Sequence, residues 1–180
     1  MSDFEITPPE LFELDPSSGD VFHEYFNHFR KLNDVYYDQI KIADQKAAYI
    51  FTFVLAFLVS SSEVRKVFAL ENYASLDLVT TLFSSALALA CTISIVCALL
   101  VVAPRRVAIS TSLFWGTWPR HRPLLESAAL RGDMQYLLKE YLNNADVLSL
   151  ISRRKYMFVG MAFRSLIATV ICYVLLLTFG

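Results

Sequence analysis

Four arginines, Arg105, Arg106, Arg120 and Arg122, stand with His121 close to Phe114, Trp115 and Trp118. A planar guanidinium fork suits phosphate, and an aromatic ring can stack on a base. This group, Trp115 included, is the nucleotide-binding candidate of the chain. The same arginines also satisfy the bias of Lys and Arg towards the cytosolic side of a membrane, so two readings stay open for them.

Asp44 and Lys46 form a second group, just ahead of the apolar run that begins at Ala47. Charge at that depth is costly unless it is paired or near water. Lys41 and Asp44, three residues apart, can pair along one helix. Arg164 lies inside the last apolar run and needs a partner at similar depth, and Asp44 is the expected one. Asp44, Lys46 and Arg164 are therefore read as a structural bridge or a gating element. A third group, Ser84, Thr92 and Ser94, lies in the middle apolar run beside Thr81, Ala88, Cys91 and Ala98. Small residues let helices approach closely. The alternative is that Ser84, Thr92 and Ser94 line a polar path formed by several copies.

No catalytic set emerges. His23, His28 and His121 are scattered, and His23 and His28 are five residues apart rather than the four that a metal pair on one helix face prefers. No phosphate-binding glycine loop, nucleophile elbow or zinc-protease motif occurs. Cys91, Cys97 and Cys172 all fall in apolar runs, without metal-ligand spacing, and read as small reduced hydrophobes. The expectation is a protein that is no enzyme and takes no metal and no cofactor.

The elements that carry these groups follow from punctuation and hydropathy. Between Gly19 and Pro104 the chain has neither glycine nor proline, which argues for long unbroken helices. The chain is 56% hydrophobic, above the 45–50% or so of a soluble domain. Mean hydropathy is +0.46, and the excess sits in three blocks. Net charge is -1, which excludes a general attraction to nucleic acid.

The expected order is an acidic tail over 1–20, an amphipathic helix over 21–46, spans at 47–62 and 78–103, a polar region over 104–156 containing a helix at 133–156, and a third span at 157–179. Phe22, Tyr25, Phe29, Leu32, Tyr36, Ile40, Ala43 and Ala47 share one helical face. Met134, Leu137, Tyr141, Leu148, Ile151 and Lys155 lie near one seam of the later helix. Gly116, Pro119 and Pro123 make 107–123 read as irregular or short structure. The tail has no basic n-region and no apolar core, so it is not read as a signal peptide.

Lys and Arg number four ahead of the first span, two in 61–78 and nine in 104–156. That asymmetry puts the N-terminus and the central region in the cytosol and the C-terminus outside. The fold class is an all-α membrane protein with three transmembrane helices, the first and third extended as cytosolic helices. Three helices enclose no wide path, so a pore requires a homo-oligomeric bundle, with the aromatic face as a contact surface. The intramolecular alternative packs that face on the 133–156 helix.

The motifs A-D-x-K-A at Ala43–Ala47, L-F-W-G at Leu113–Gly116 and K-Y at Lys155–Tyr156, with the order of helices between them, resemble the transmembrane effector family of Pycsar antiphage systems. The resemblance runs over about residues 22 to 179. It implies a bacterial inner-membrane protein that answers a cyclic pyrimidine nucleotide made by a neighbouring cyclase and damages membrane integrity, causing abortive infection. A further similarity, to the membrane channel effector of Hailong systems, implies an oligomeric channel controlled by an oligonucleotide from a nucleotidyltransferase. The implied partners are the bilayer, further copies of the chain and the nucleotide signal. The alternative function is a non-conducting scaffold or partner-binding subunit of a defence system.

Overall fold

The structure, a computed structural model, describes residues 19–69, 73, 77–104, 111–113 and 116–179. Arg105, Arg106, Phe114, Trp115 and residues 1–18 of the acidic tail lie outside them. The described residues form α1 (Gly19–Ser60), α2 (Ser62–Lys66), α3 (Leu78–Val102), α4 (Trp118–Arg131) and α5 (Met134–Phe179), with no strand among them. α1, α3 and α5 are each long and apolar enough to cross a membrane.

α1 has 42 residues and α5 has 46, so each is about 63–69 Å long at 1.5 Å per residue. A bilayer core takes up only about 30 Å of that. The remainder of each helix, its N-terminal part, stands beyond the apolar segment as a two-helix stalk. Neither helix meets a glycine or proline before its apolar part apart from the terminal Gly19, and nothing in either sequence demands a break.

The two long helices run parallel. Phe26 meets Tyr141, Asn144 meets Asn33, Lys155 meets Asp44, and Phe57 meets Tyr173, each pair advancing together along both chains. One seam of buried and half-buried positions runs along α1 through Asn33, Tyr36, Ile40, Ala43, Ala47, Ile50 and Val54, and another along α5 through Leu138, Tyr141, Ala145, Leu148, Ser152, Lys155, Val159 and Ala162. Steps of three and four alternate throughout both. That is the heptad spacing of a left-handed helix pair. α3 runs antiparallel to α5: Phe83 stacks near Phe179, and Ser94 donates to the Ala162 carbonyl at 3.0 Å. Ala98, Ser94, Cys91 and Ala162 keep that contact narrow.

The membrane core gathers Ala47, Ile50 and Val54 of α1, Leu87, Cys91 and Val101 of α3, and Val159 and Ala162 of α5. Outside it, Tyr49 (74%), Val59 (70%) and Leu78 (77%) are exposed. A surface so apolar suits lipid and would be an aggregation hazard in water. At the far end Ser61 caps α2, its side chain accepting from the Val64 N–H, and turns the chain away from α1. The Arg65 guanidinium donates to the Val59 carbonyl at 2.9 Å, meeting a last-turn acceptor of α1.

One expectation is revised here. The stretch read as irregular or short is helical from Trp118. Pro119 lies in the first turn, where its missing N–H costs nothing, and Pro123 forfeits one internal bond on an exposed face. α4 ends at Gly132 (φ 67°), where the Asp133 N–H returns to Ala128 and the Gly132 N–H to Ala129. Only a residue free of a Cβ takes that left-handed cap without strain. The aromatic face of α1 is covered only in part within the protomer. Phe22 is buried and Phe26 packs edge-on against Tyr141, whereas Tyr25 remains 42% exposed.

Candidate functional site

The polar groups of the α1–α5 seam collect at two stations. Asp44 follows Asn33 by eleven residues, and Lys155 follows Asn144 by eleven. Eleven residues make about three turns, so each pair returns to the same face. Both bonds join residues separated by 111 in sequence, which fixes one register for the parallel pair.

The upper station lies where the helices become apolar. Lys155 Nζ meets Asp44 Oδ1 at 2.5 Å. The lysine side chain is only 9% exposed, while Asp44 is open at 37%. The Tyr156 hydroxyl donates to Gln39 Oε1, and Lys46 Nζ lies 5.5 Å from the centre of the Tyr156 ring. A lysine buried in a helix seam requires such a partner, because an unpaired charge there is strongly unfavourable. Asp44 therefore does bridge α1 and α5, but to Lys155 and not to Arg164. Arg164 sits nine residues beyond Lys155, about 13 Å further along the helix, and points to the exposed side. Lys46 faces outward over Tyr156 rather than into the pair.

The lower station is neutral at its centre. Asn144 Nδ2 donates to Asn33 Oδ1 at 2.7 Å, and Asn33 Nδ2 donates to the carbonyls of Tyr141 (3.0 Å) and Phe29 (2.8 Å). Asn33 is 2% exposed and Asn144 3%. The connection between α3 and α4 joins them. Thr111, 1% exposed, donates through Oγ1 to Asn144 Oδ1 at 3.2 Å, and Thr117 Oγ1 donates to the Thr111 carbonyl at 2.7 Å. The Ser112 N–H donates to Glu140 Oε2, which also faces His121 Nδ1 at 3.9 Å. Burial, and after it the negative charge of Glu140, raises the Tyr136 phenol above its ordinary value beside this group.

The arginine group is only partly visible. Arg120 and Arg122 are exposed on α4, and Arg122 pairs with Glu126 at 2.8 Å. Two residues apart on a helix, their side chains leave in nearly opposite directions and form no common fork. Arg105, Arg106 and Trp115 lie outside the described residues. Ser84 (3%) and Ser94 (0%) are enclosed within the protomer, Ser94 bonded to α5. Thr92 faces outward, its hydroxyl returned to the Ala88 carbonyl.

Sequence reasoning passed over Asn33, Thr111, Glu140 and Asn144. A signal was present, since Asn33 repeats the position of Asp44 three turns earlier and Asn144 that of Lys155. At the tip of the stalk an open groove of about 370 Å³ is lined by Gly19, Phe22, His23, Gly132, Asp133, Met134 and Gln135.

Comparison with known families gives one finding of weight. A family model described as the Pycsar effector protein domain matches residues 28–180, which takes in both stations, α3, α5 and the apolar part of α1. The chain belongs to the Pycsar effector family, and the resemblance read from its motifs holds. No curated protein and no solved structure matches it.

Proposed function

From membership of the Pycsar effector family, we propose that this membrane effector of antiviral defence answers a cyclic pyrimidine nucleotide made by a neighbouring cyclase and breaches the inner membrane. It does so without catalysis, as a homo-oligomer whose pore or ion channel forms between protomers. The observation that carries this reading is the pair α1–α5: two helices run unbroken from a polar stalk into the apolar core, in one register, so that a change in the stalk reaches the membrane without crossing a loop. The protomer interior is filled by Val54, Leu87, Cys91 and Ser94, which supports a path between copies rather than through one.

The signal is read at the polar end, with Arg120 on the open face of α4 and Arg105, Arg106 and Trp115 nearby in sequence. The orientation that agrees with the Lys and Arg distribution has this end in the cytosol and the C-terminus outside. Cells producing the full-length protein should depolarise when cyclic CMP or cyclic UMP is supplied and stay polarised without it. Loss of viability with the membrane potential intact would instead favour the non-conducting scaffold. Single cysteines at Ser62 and Ser127 should label from opposite sides of the membrane, and labelling of both from one side would remove this orientation.

A further inference from the structure

Thr111 belongs to a connection, yet it is more completely buried than most of the helix seam beside it. Connections usually run over the surface, since buried loop backbone is hard to satisfy. Here two side chains meet part of that backbone: Thr117 serves the Thr111 carbonyl and Glu140 serves the Ser112 N–H. The Thr111 hydroxyl is thereby free to enter the seam and donate to Asn144, which in turn donates to Asn33. One hydrogen-bonded path thus leaves the α3–α4 connection, crosses α5 and ends on α1.

From this path we infer that Thr111, Asn144 and Asn33 are positioning residues that couple the α3–α4 connection to the register of α1 against α5. Three observations carry the inference. The path joins three separate segments through side chains that are all nearly inaccessible. Every side chain on it carries both a donor and an acceptor, so a displaced connection can re-pair the path instead of merely breaking it. Both helices then continue unbroken to Asp44 and Lys155, where the same 111-residue offset recurs at the edge of the apolar core. Neutral amide and hydroxyl bonds rearrange at far lower cost than a buried ion pair, so the lower station is the one that ligand binding can move while the upper one holds.

The inference rests on the nucleotide response proposed above, and the test separates the two. Full-length protein is produced at matched membrane levels, and depolarisation is followed against supplied cyclic CMP and cyclic UMP. Thr111→Val keeps the shape of the side chain and removes the hydroxyl. It should insert and assemble as the wild type does, yet require about tenfold more nucleotide or fail to respond, a size typical of coupling between sites. Thr111→Ser should return the response to within about threefold of wild type, since it restores the donor. The double variant Asn33→Leu/Asn144→Leu closes the seam with apolar groups. It should fold and lose nucleotide dependence, and it decides the matter should Thr111→Val fail to insert. A wild-type dose–response in Thr111→Val or in the double variant overturns the inference alone. So does a Thr111→Ser variant as impaired as Thr111→Val. A wild type silent to both nucleotides removes the response itself, and the coupling with it.

Discussion

The two polar stations of the α1–α5 seam occupy equivalent positions and are built from opposite chemistry. The upper one is an ion pair with one member buried and the other, Asp44, open at 37%. The lower one sets Asn33 against Asn144, both almost fully enclosed, and recruits a third segment through Thr111. The difference follows from what surrounds each. At the edge of the apolar core a carboxylate that keeps part of its water can hold a buried lysine. Three turns away the seam is closed to water, its two amides satisfy one another, and the one acidic side chain, Glu140, is held at its rim by the Ser112 N–H. An ion pair fixes the register at the membrane, while amide and hydroxyl bonds, with Glu140 at their rim, link the seam to the α3–α4 connection.

The largest effect that sharpens this contrast belongs to Asp44. Asp44→Ala leaves Lys155 buried without its partner and should destabilise the protein by about 3 kcal/mol, the low end for a broken buried pair because Asp44 itself is partly open. Denaturant unfolding in detergent measures it. Asp44→Leu with Lys155→Met should recover most of the loss, because an apolar pair of similar volume removes the stranded charge. Failure of that recovery would mean that the pair acts through something other than its own burial. Pairing Asp44→Arg with Arg164→Asp should recover nothing, since Arg164 lies about 13 Å beyond the contact.

A smaller effect is expected at the lower station. Asn144→Ala leaves Asn33 Oδ1 without its donor and should cost about 1–3 kcal/mol by the same measurement. A cost equal to that of Asp44→Ala or greater would break the comparison, because it would make the neutral station the stronger of the two. Ser94→Ala, which loses one bond between α3 and α5, should cost only about 0.6 kcal/mol, the usual worth of an interhelical hydrogen bond inside a membrane.

How far the site was legible depended on which kind of pattern carried it. Asp44 stood out because a charge beside an apolar run always demands a partner, and the need for a bridge to the last helix was therefore readable. Its partner was not. Arg164 seemed required because it lies within the apolar run, but depth along a helix is fixed by register, and register depends on which faces interlock. Lys155 lies on the readable seam of the later helix, but nothing local in the sequence marks it as the counter-charge. Asn33 and Asn144 were passed over because single amides among aromatic residues look like ordinary surface positions. Thr111 was unreadable for a different reason: burial of a connection is decided by the helices it lands on, and no local pattern encodes that.

The sequence alone determined the number and length of the apolar helices, the absence of breaks in α1, and membership of the Pycsar effector family. These follow from hydropathy, from the lack of glycine and proline between Gly19 and Pro104, and from short motifs, all of which are local in the chain. Only the tertiary structure decided that α1 and α5 run parallel at an offset of 111, that Asp44 takes Lys155, that Ser84 and Ser94 face inward, and that Thr111 enters the seam. Those are choices among pairings of similar local merit. They are settled by the packing of all three long helices at once, because one shift of register changes every partner along the seam.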